Sequence, residues 1–256
     1  MRYQSTTGLD HDDILELVLR MNQVLPGKGL RLGRYPSLGL YRQVVMVLIL
    51  IRQNLSQMAV GDLFGVSQPT VSRIYRKLMP LIEQVIGSVR PELPEVFKGR
   101  IVLVDGTDVP TGNRAGAAEN YSGKRRRQGL SVQVAADLDG VLLAVSDPVP
   151  GCRHDRRAIT ETGWEELLDD GVCWIADPAY IGTTAITPEK KPQGRDLTDD
   201  RKQANRIISG MRSAVERCIA HLKNWKILAT GYRGPLDELP GTIRIITKLE
   251  LYRLVR

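Results

Sequence analysis

Two aspartates stand directly after short apolar runs. Asp105 follows Ile101-Val102-Leu103-Val104, and Asp177 follows Val172 to Ala176, 72 positions further on. Glu216 lies another 39 positions along, in Arg212-Ser213-Ala214-Val215-Glu216-Arg217. Apolar residues recur around it at Ile208, Met211, Val215 and Leu222, the spacing of one helix face, with Glu216 beside that stripe. Strands of one sheet can present carboxylates at a common edge, where ligands gather. Three convergent carboxylates stay ionised only when cations share them, and hard Mg²⁺ or Mn²⁺ suits an all-oxygen donor set. Each residue alone has a plainer reading. A strand-end Asp is more often a turn former or helix cap, and Glu216 can pair with Arg212 one helical turn earlier.

Two further groups have the chemistry to meet a polyanion. Lys124-Arg125-Arg126-Arg127 is a basic run that leads into the strand beginning near Leu130. Phosphates take such charge whatever the sequence they carry, and the plainer alternative is a solvated loop. The segment Leu55 to Ile74 reads as two helices joined by a tight turn. Ser56 caps the first and Gly65 ends it in the left-handed region; Ser67 caps the second, with Pro69 in its first turn. Gly61 leaves room for the helices to cross closely. This is the pattern of a helix-turn-helix, whose second helix would offer Gln68, Thr70, Ser72 and Arg73 to bases or phosphates; an ordinary helical hairpin is the alternative. In His154-Asp155 the aspartate reads as a helix cap in preference to a metal ligand.

The elements that must position these groups fall into two sets. Helices are expected over 11–24 with Asp10 as cap, over 38–53 with Ser37 as cap, and through the helix-turn-helix. The second of these is apolar on nearly every side and should be buried. Pro91 to Lys98 reads as a linker. Strands follow at 101–104, 130–137 and 141–146, the last two joined by Leu138-Asp139-Gly140 as a hairpin turn. A helix over 156–168, a strand over 172–176, a short strand at 185–187 and a long helix over 199–224 complete the chain. Trp164, Trp174 and Trp225 are expected in cores. This is an α/β arrangement: residues 1–95 as an all-helical DNA-binding domain, and 96–256 as a mixed sheet flanked by helices.

Composition narrows the class. Lys and Arg number 36 against 29 Asp and Glu, a net charge of +7 that favours polyanion partners. The longest apolar run, Val44 to Ile51, is far short of the roughly 18 residues a membrane span needs, so no membrane partner is expected. No secretory signal is expected from the first residues, which carry no apolar stretch. Three cysteines without a CxxC pair exclude a disulfide framework and suit a reducing, cytoplasmic setting.

Taken together, the motifs resemble the DDE transposases of bacterial insertion sequences, in the endonuclease superfamily related to Harbinger-type elements. The resemblance rests on Leu103-Val104-Asp105-Gly106-Thr107, Tyr121-Ser122-Gly123 with the basic run, and Pro150-Gly151-Cys152-Arg153-His154-Asp155. It continues through Asp177-Pro178-Ala179-Tyr180-Ile181-Gly182, Ile186-Thr187-Pro188 and Arg212 to Arg217 with Leu222-Lys223, in the family's order over roughly residues 35–250. It implies an RNase H-like catalytic domain in which Asp105, Asp177 and Glu216 hold two Mg²⁺ or Mn²⁺ ions for phosphodiester cleavage and strand transfer. The implied partners are double-stranded DNA at the element's terminal inverted repeats and target DNA, with a homodimer on DNA left open, in a bacterial cytoplasm at the nucleoid. The implied DNA-binding residues are Gln68, Thr70, Ser72, Arg73, Lys124, Arg125, Arg126 and Arg127. Pro178 departs from the basic or polar residue usual after the second Asp. That departure keeps a second reading in view, a DNA-binding protein whose nuclease site has decayed.

Overall fold

The computed structural model describes residues 4–25, 38–87 and 93–254. Along the chain run α1 (Gln4–Thr7), α2 (His11–Val24), α3 (Leu40–Gln53), α4 (Gln57–Phe64), α5 (Gln68–Ile86) and α6 (Leu93–Phe97). Then come β1 (Ile101–Pro110), β2 (Tyr121–Ser122), β3 (Arg127–Ala136), β4 (Leu142–Val145), β5 (Val149–Pro150), α7 (Asp155–Glu161), α8 (Trp164–Asp169) and β6 (Cys173–Ile175). The long α9 (Asp199–Leu222) and α10 (Leu239–Leu254) close the chain. They form two compact units: Met1–Arg90 with Lys223–Tyr232 and Asp237–Arg256, and Pro91–Leu222 with Arg233–Leu236.

In the helical unit, α2 starts where the Asp10 carboxylate accepts the Asp13 N–H at 2.9 Å. Helix α3 is buried over most of its surface, as its unbroken apolar content requires; Gly39 is its cap residue, and Ser37, the expected cap, lies outside the described residues. Ser56 caps α4 by accepting the Ala59 N–H, and Gly65 ends it at φ 67°. A Cβ on Gly61 would come within 2.5 Å of the Val66 carbonyl oxygen, so glycine is what lets the turn fold back on the helix. Helix α5 buries Val71, Ile74, Leu78 and Ile82.

The C-terminal residues return to this unit, whereas the sequence pattern groups everything after residue 95 together. Trp225 is fully buried, donates its indole N–H to Glu250 at 2.9 Å and lies under the Arg52 guanidinium. On α5, Glu83 accepts from Arg244 at 2.7 Å and Lys248 at 3.1 Å. An apolar stripe states that a helix is buried but not in which core, which is why α10 could not be assigned from its pattern.

In the second unit β3 is the hub. It pairs antiparallel with β1, from Leu103↔Ala136 to Pro110↔Gly129, and also with β2, β4 and β5. β6 lies parallel to β1 on its other side, Ile101↔Cys173 to Leu103↔Ile175. Helices α7 and α8 enclose a core of Val102, Val104, Trp164, Leu168, Trp174 and Tyr180, and α9 packs on β1 and β3 through Ala214, Val215, Cys218 and Leu222. The unit is thus the expected mixed sheet flanked by helices.

Several boundaries differ from expectation. β1 continues past Asp105 to Pro110, because β3 starts early enough to give the polar half of β1 a ladder partner. The helix expected over 156–168 breaks at Gly163, φ 73°. Residues Leu93–Phe97 of the expected linker are helical. Ile186 makes an isolated bridge to Ile175 in place of a strand. Among the described residues, no helix is long and apolar enough to cross a membrane.

Candidate active site and nucleic-acid interface

β1 carries Asp105 in the middle of its ladder opposite Val134, and its carboxylate is 22% exposed. Oδ1 accepts the Gly106 N–H at 2.9 Å, and Oδ2 lies 3.9 Å from the Arg212 guanidinium on α9. Asp177 sits two residues past Ile175, the last residue of β6. Since Ile175 pairs with Leu103, the parallel register carries Asp177 alongside Asp105. Its backbone is extended, at φ −80° and ψ 169°, and its side chain accepts the Ala179 N–H at 2.7 Å. Pro178 falls at the first position of the short turn Pro178–Tyr180, where a missing N–H is harmless.

A third carboxylate joins them. His154 is the residue that caps α7; Asp155, expected as the cap, is the first helical residue, and its half-buried side chain reaches toward β1. Its Oδ1 lies 2.3 Å from where a Cβ on Gly106 would stand. Beneath it the buried Tyr180 hydroxyl donates to Gln133 Oε1.

The electrostatics reflect this gathering. Burial pushes the Asp105 carboxyl up to about 6; Arg212 and the Gly106 N–H oppose the rise, while Asp177 and Asp155 add to it. Asp155 is raised too, chiefly by burial, with Lys124 pulling the other way and Asp177 pushing further. Tyr180 is held well above its ordinary value by burial and by the same three aspartates.

Glu216 is not among these neighbours. It is exposed, one helical turn beyond Arg212, and Arg212 is the α9 side chain that faces Asp105. Among the described residues no three His, Cys, Asp or Glu side chains already meet closely enough to hold an ion. The donor chemistry nevertheless fits a hard divalent cation: carboxylate oxygens from separate elements, crowded enough to raise one another's proton affinity, beside a glycine whose missing Cβ lets Asp155 draw close.

A groove opens from Asp155 toward the basic run, walled by Lys124, Arg125, Asp108, Ser122 and His154. Lys124 to Arg127 are exposed, and Arg126 turns the chain at φ 53°. Arg127 donates twice to Asp108, at 2.6 and 2.9 Å, and Arg125 stands 3.7 Å from it. In the helix-turn-helix, Gln68 and Arg73 are exposed, whereas Thr70 and Ser72 are half-buried and hydrogen-bonded to Ser67 and Arg76. Gln68 donates to Gln57 at 2.6 Å. Arg76 and Lys77 stand exposed one turn on from Arg73 and extend that face. Sequence reasoning passes over these two and over the approach of Arg212 to Asp105, and it reads Asp155 as a cap in preference to a metal ligand. The i+3 and i+4 spacing from Arg73 is a usable signal for the first pair.

Residues 104–249 match the sequence model for DDE superfamily endonucleases, and residues 36–88 match that for the helix-turn-helix of DDE superfamily endonucleases. The chain is 31% identical over 202 residues to a putative transposase for insertion sequence element IS112 of Streptomyces albus G, covering 78% of this chain and 75% of that one. It is 30% identical over 218 residues to a probable transposase for insertion sequence element IS702 of Microchaete diplosiphon, covering 79% and 76%. No solved structure matches.

Proposed function

Because this chain belongs to the DDE superfamily of endonucleases, we propose that it is a transposase that binds element-end DNA and catalyses metal-dependent phosphodiester cleavage and strand transfer. The observation that carries the reading is the meeting of Asp105 and Asp177, 72 residues apart in sequence, at one place beside a groove lined by Lys124 and Arg125. Asp105, Asp177 and Glu216 would hold two divalent ions, Mg²⁺ or Mn²⁺, whose Lewis acidity serves in-line displacement at phosphorus. Lys124 to Arg127 bind the phosphate backbone and fix the duplex in register. Gln68, Thr70, Ser72 and Arg73 read or track the element ends, the terminal inverted repeats, before target DNA is engaged. The half-site symmetry of such repeats suits a homodimer on DNA. The setting is the bacterial cytoplasm, at the nucleoid.

A second reading has its own observation. Arg212, and not Glu216, faces Asp105, as it would in a chain that binds DNA without cutting it. Nicking of a supercoiled plasmid in Mg²⁺ separates the two. On the first reading Asp105→Asn, Asp177→Asn and Glu216→Gln each abolish nicking while leaving DNA retention intact. A wild-type protein that retains DNA and never nicks it establishes the second.

A further inference from the structure

Gly106 breaks the pattern of side chains along β1. Successive side chains of a strand point to opposite faces, so the position after Asp105 faces away from α9 and toward α7 and Tyr180. There the absent Cβ is replaced by a carboxylate: Asp155 Oδ1 stands 2.3 Å from the Cβ site, its Cγ 3.0 Å, and the Tyr180 hydroxyl 3.4 Å. An alanine here would push the Asp155 carboxylate out of this position. Gly106 therefore lets the acid on α7 stand against the β1 backbone one position beyond Asp105, within electrostatic reach of Asp105 and Asp177.

A second observation points to a ligand there. Gln133 pairs directly with Gly106 across the β1–β3 ladder, and opposed residues of an antiparallel pair share a face. Its side chain thus enters the same pocket from the neighbouring strand. It is fully buried; its oxygen accepts the Tyr180 hydroxyl, while its amide nitrogen has no hydrogen-bond partner. A buried amide N–H without an acceptor is costly, and a site that gains oxygen atoms on loading removes that cost.

We propose that Asp155 is a fourth carboxylate of the ion site, holding divalent metal together with Asp105 and Asp177, and that position 106 is glycine to admit it. The proposal rests on the reading of the chain as a metal-dependent nuclease. Asp155 approaches on the groove side, next to Lys124 and Arg125. An ion held there lies between the basic run and the two strand-borne aspartates, where a phosphate guided by the run would meet it.

The test is Mn²⁺ binding to the full chain in the presence of a DNA duplex, followed by the decline of the free-ion electron paramagnetic resonance signal. Asp155→Asn preserves shape and should weaken Mn²⁺ affinity by at least roughly 10–100-fold, the cost of removing a group that only orients a metal ligand. Gly106→Ala should weaken it similarly, and the double variant should be no weaker than Asp155→Asn alone, because both changes remove one carboxylate. The melting temperature of Asp155→Asn without metal should not fall, which a merely structural role would require. Unchanged Mn²⁺ affinity in Asp155→Asn, with binding abolished in Asp105→Asn, overturns the proposal and leaves the nuclease reading standing. Unchanged affinity in both variants, or no binding by the wild type, overturns the two together.

Discussion

Replacing Asp105 with Asn should make the metal-free protein more stable at neutral pH. Burial holds the Asp105 carboxyl at about 6 against an ordinary value of 3.8, with Asp177 and Asp155 adding to the rise and Arg212 and the Gly106 N–H resisting it. The folded chain therefore binds this proton more tightly than the unfolded chain does. Stability from the group is fully present below pH 4 and is lost as pH rises through about 6. A difference of about two units corresponds to about 3 kcal/mol, at 1.36 kcal/mol per unit. Asparagine removes the charge and keeps the acceptor for the Gly106 N–H, so the variant avoids that cost. Arg212, only 15% exposed and 3.9 Å from Asp105, loses its countercharge and subtracts from the gain, which makes 3 kcal/mol an upper bound. For a unit of this size that corresponds to a rise in melting temperature of at most roughly 10 °C above pH 7, vanishing near pH 3.5. Thermal melts in EDTA across this pH range measure it. Adding Mg²⁺ should reverse the order, because an ion that binds only the folded wild type raises its melting point alone. A variant less stable than wild type at pH 8 without metal would refute the argument, for it would mean the carboxylate is stabilised where it lies.

Other perturbations report on the DNA-facing surfaces. Arg125, Arg126 and Arg127 changed together to Gln should lower the slope of log affinity against log salt by roughly 0.9 for each phosphate that is no longer neutralised, seen in a salt titration. Asp108→Asn should strengthen binding to any duplex, since it releases Arg127 and Arg125 from their internal partner; unchanged affinity would mean these arginines do not meet phosphate. Alanine at Gln68, Thr70, Ser72 and Arg73 should narrow the preference for element ends over random DNA by roughly 1–3 kcal/mol for each side chain that reads a base, measured by competition binding. Gly61→Ala should cost about 1–3 kcal/mol and loosen the turn, because its Cβ would meet the Val66 carbonyl oxygen at 2.5 Å; a melting temperature within error of wild type would show that the turn gives way freely.

What could be read in advance was whatever has a local cause. Capping by Asp10 and Ser56, the left-handed Gly65, and the β3–β4 hairpin all follow from residues within a few positions of one another. So does the placement of Asp177 beyond β6. What escaped depends on partners far along the chain. Asp105 looks like a strand end because apolar alternation stops there, but β1 continues on hydrogen bonds to β3 that no local pattern records. Asp155 looks like a cap because it precedes a helix; its reach toward β1 is visible only when Gly106, nearly fifty residues earlier, is seen to lack the atom that would exclude it. Arg212 and Glu216 share a helix face, and only the packing of α9 decides which of them meets the aspartates.

The return of Trp225 and α10 to the helical unit bears on how this protein is made and how it fails. The helix-turn-helix is synthesised before the sheet unit, yet Glu250, which anchors Trp225, follows α5 by about 160 residues. At synthesis rates of roughly 5–20 residues per second, the unit waits on the order of ten seconds or more for α10. Chains cut short before α10 therefore lack part of the core around the helix-turn-helix. Loss of α10 would leave the helix-turn-helix without part of its core even though every residue from Gln57 to Ile86 had been made.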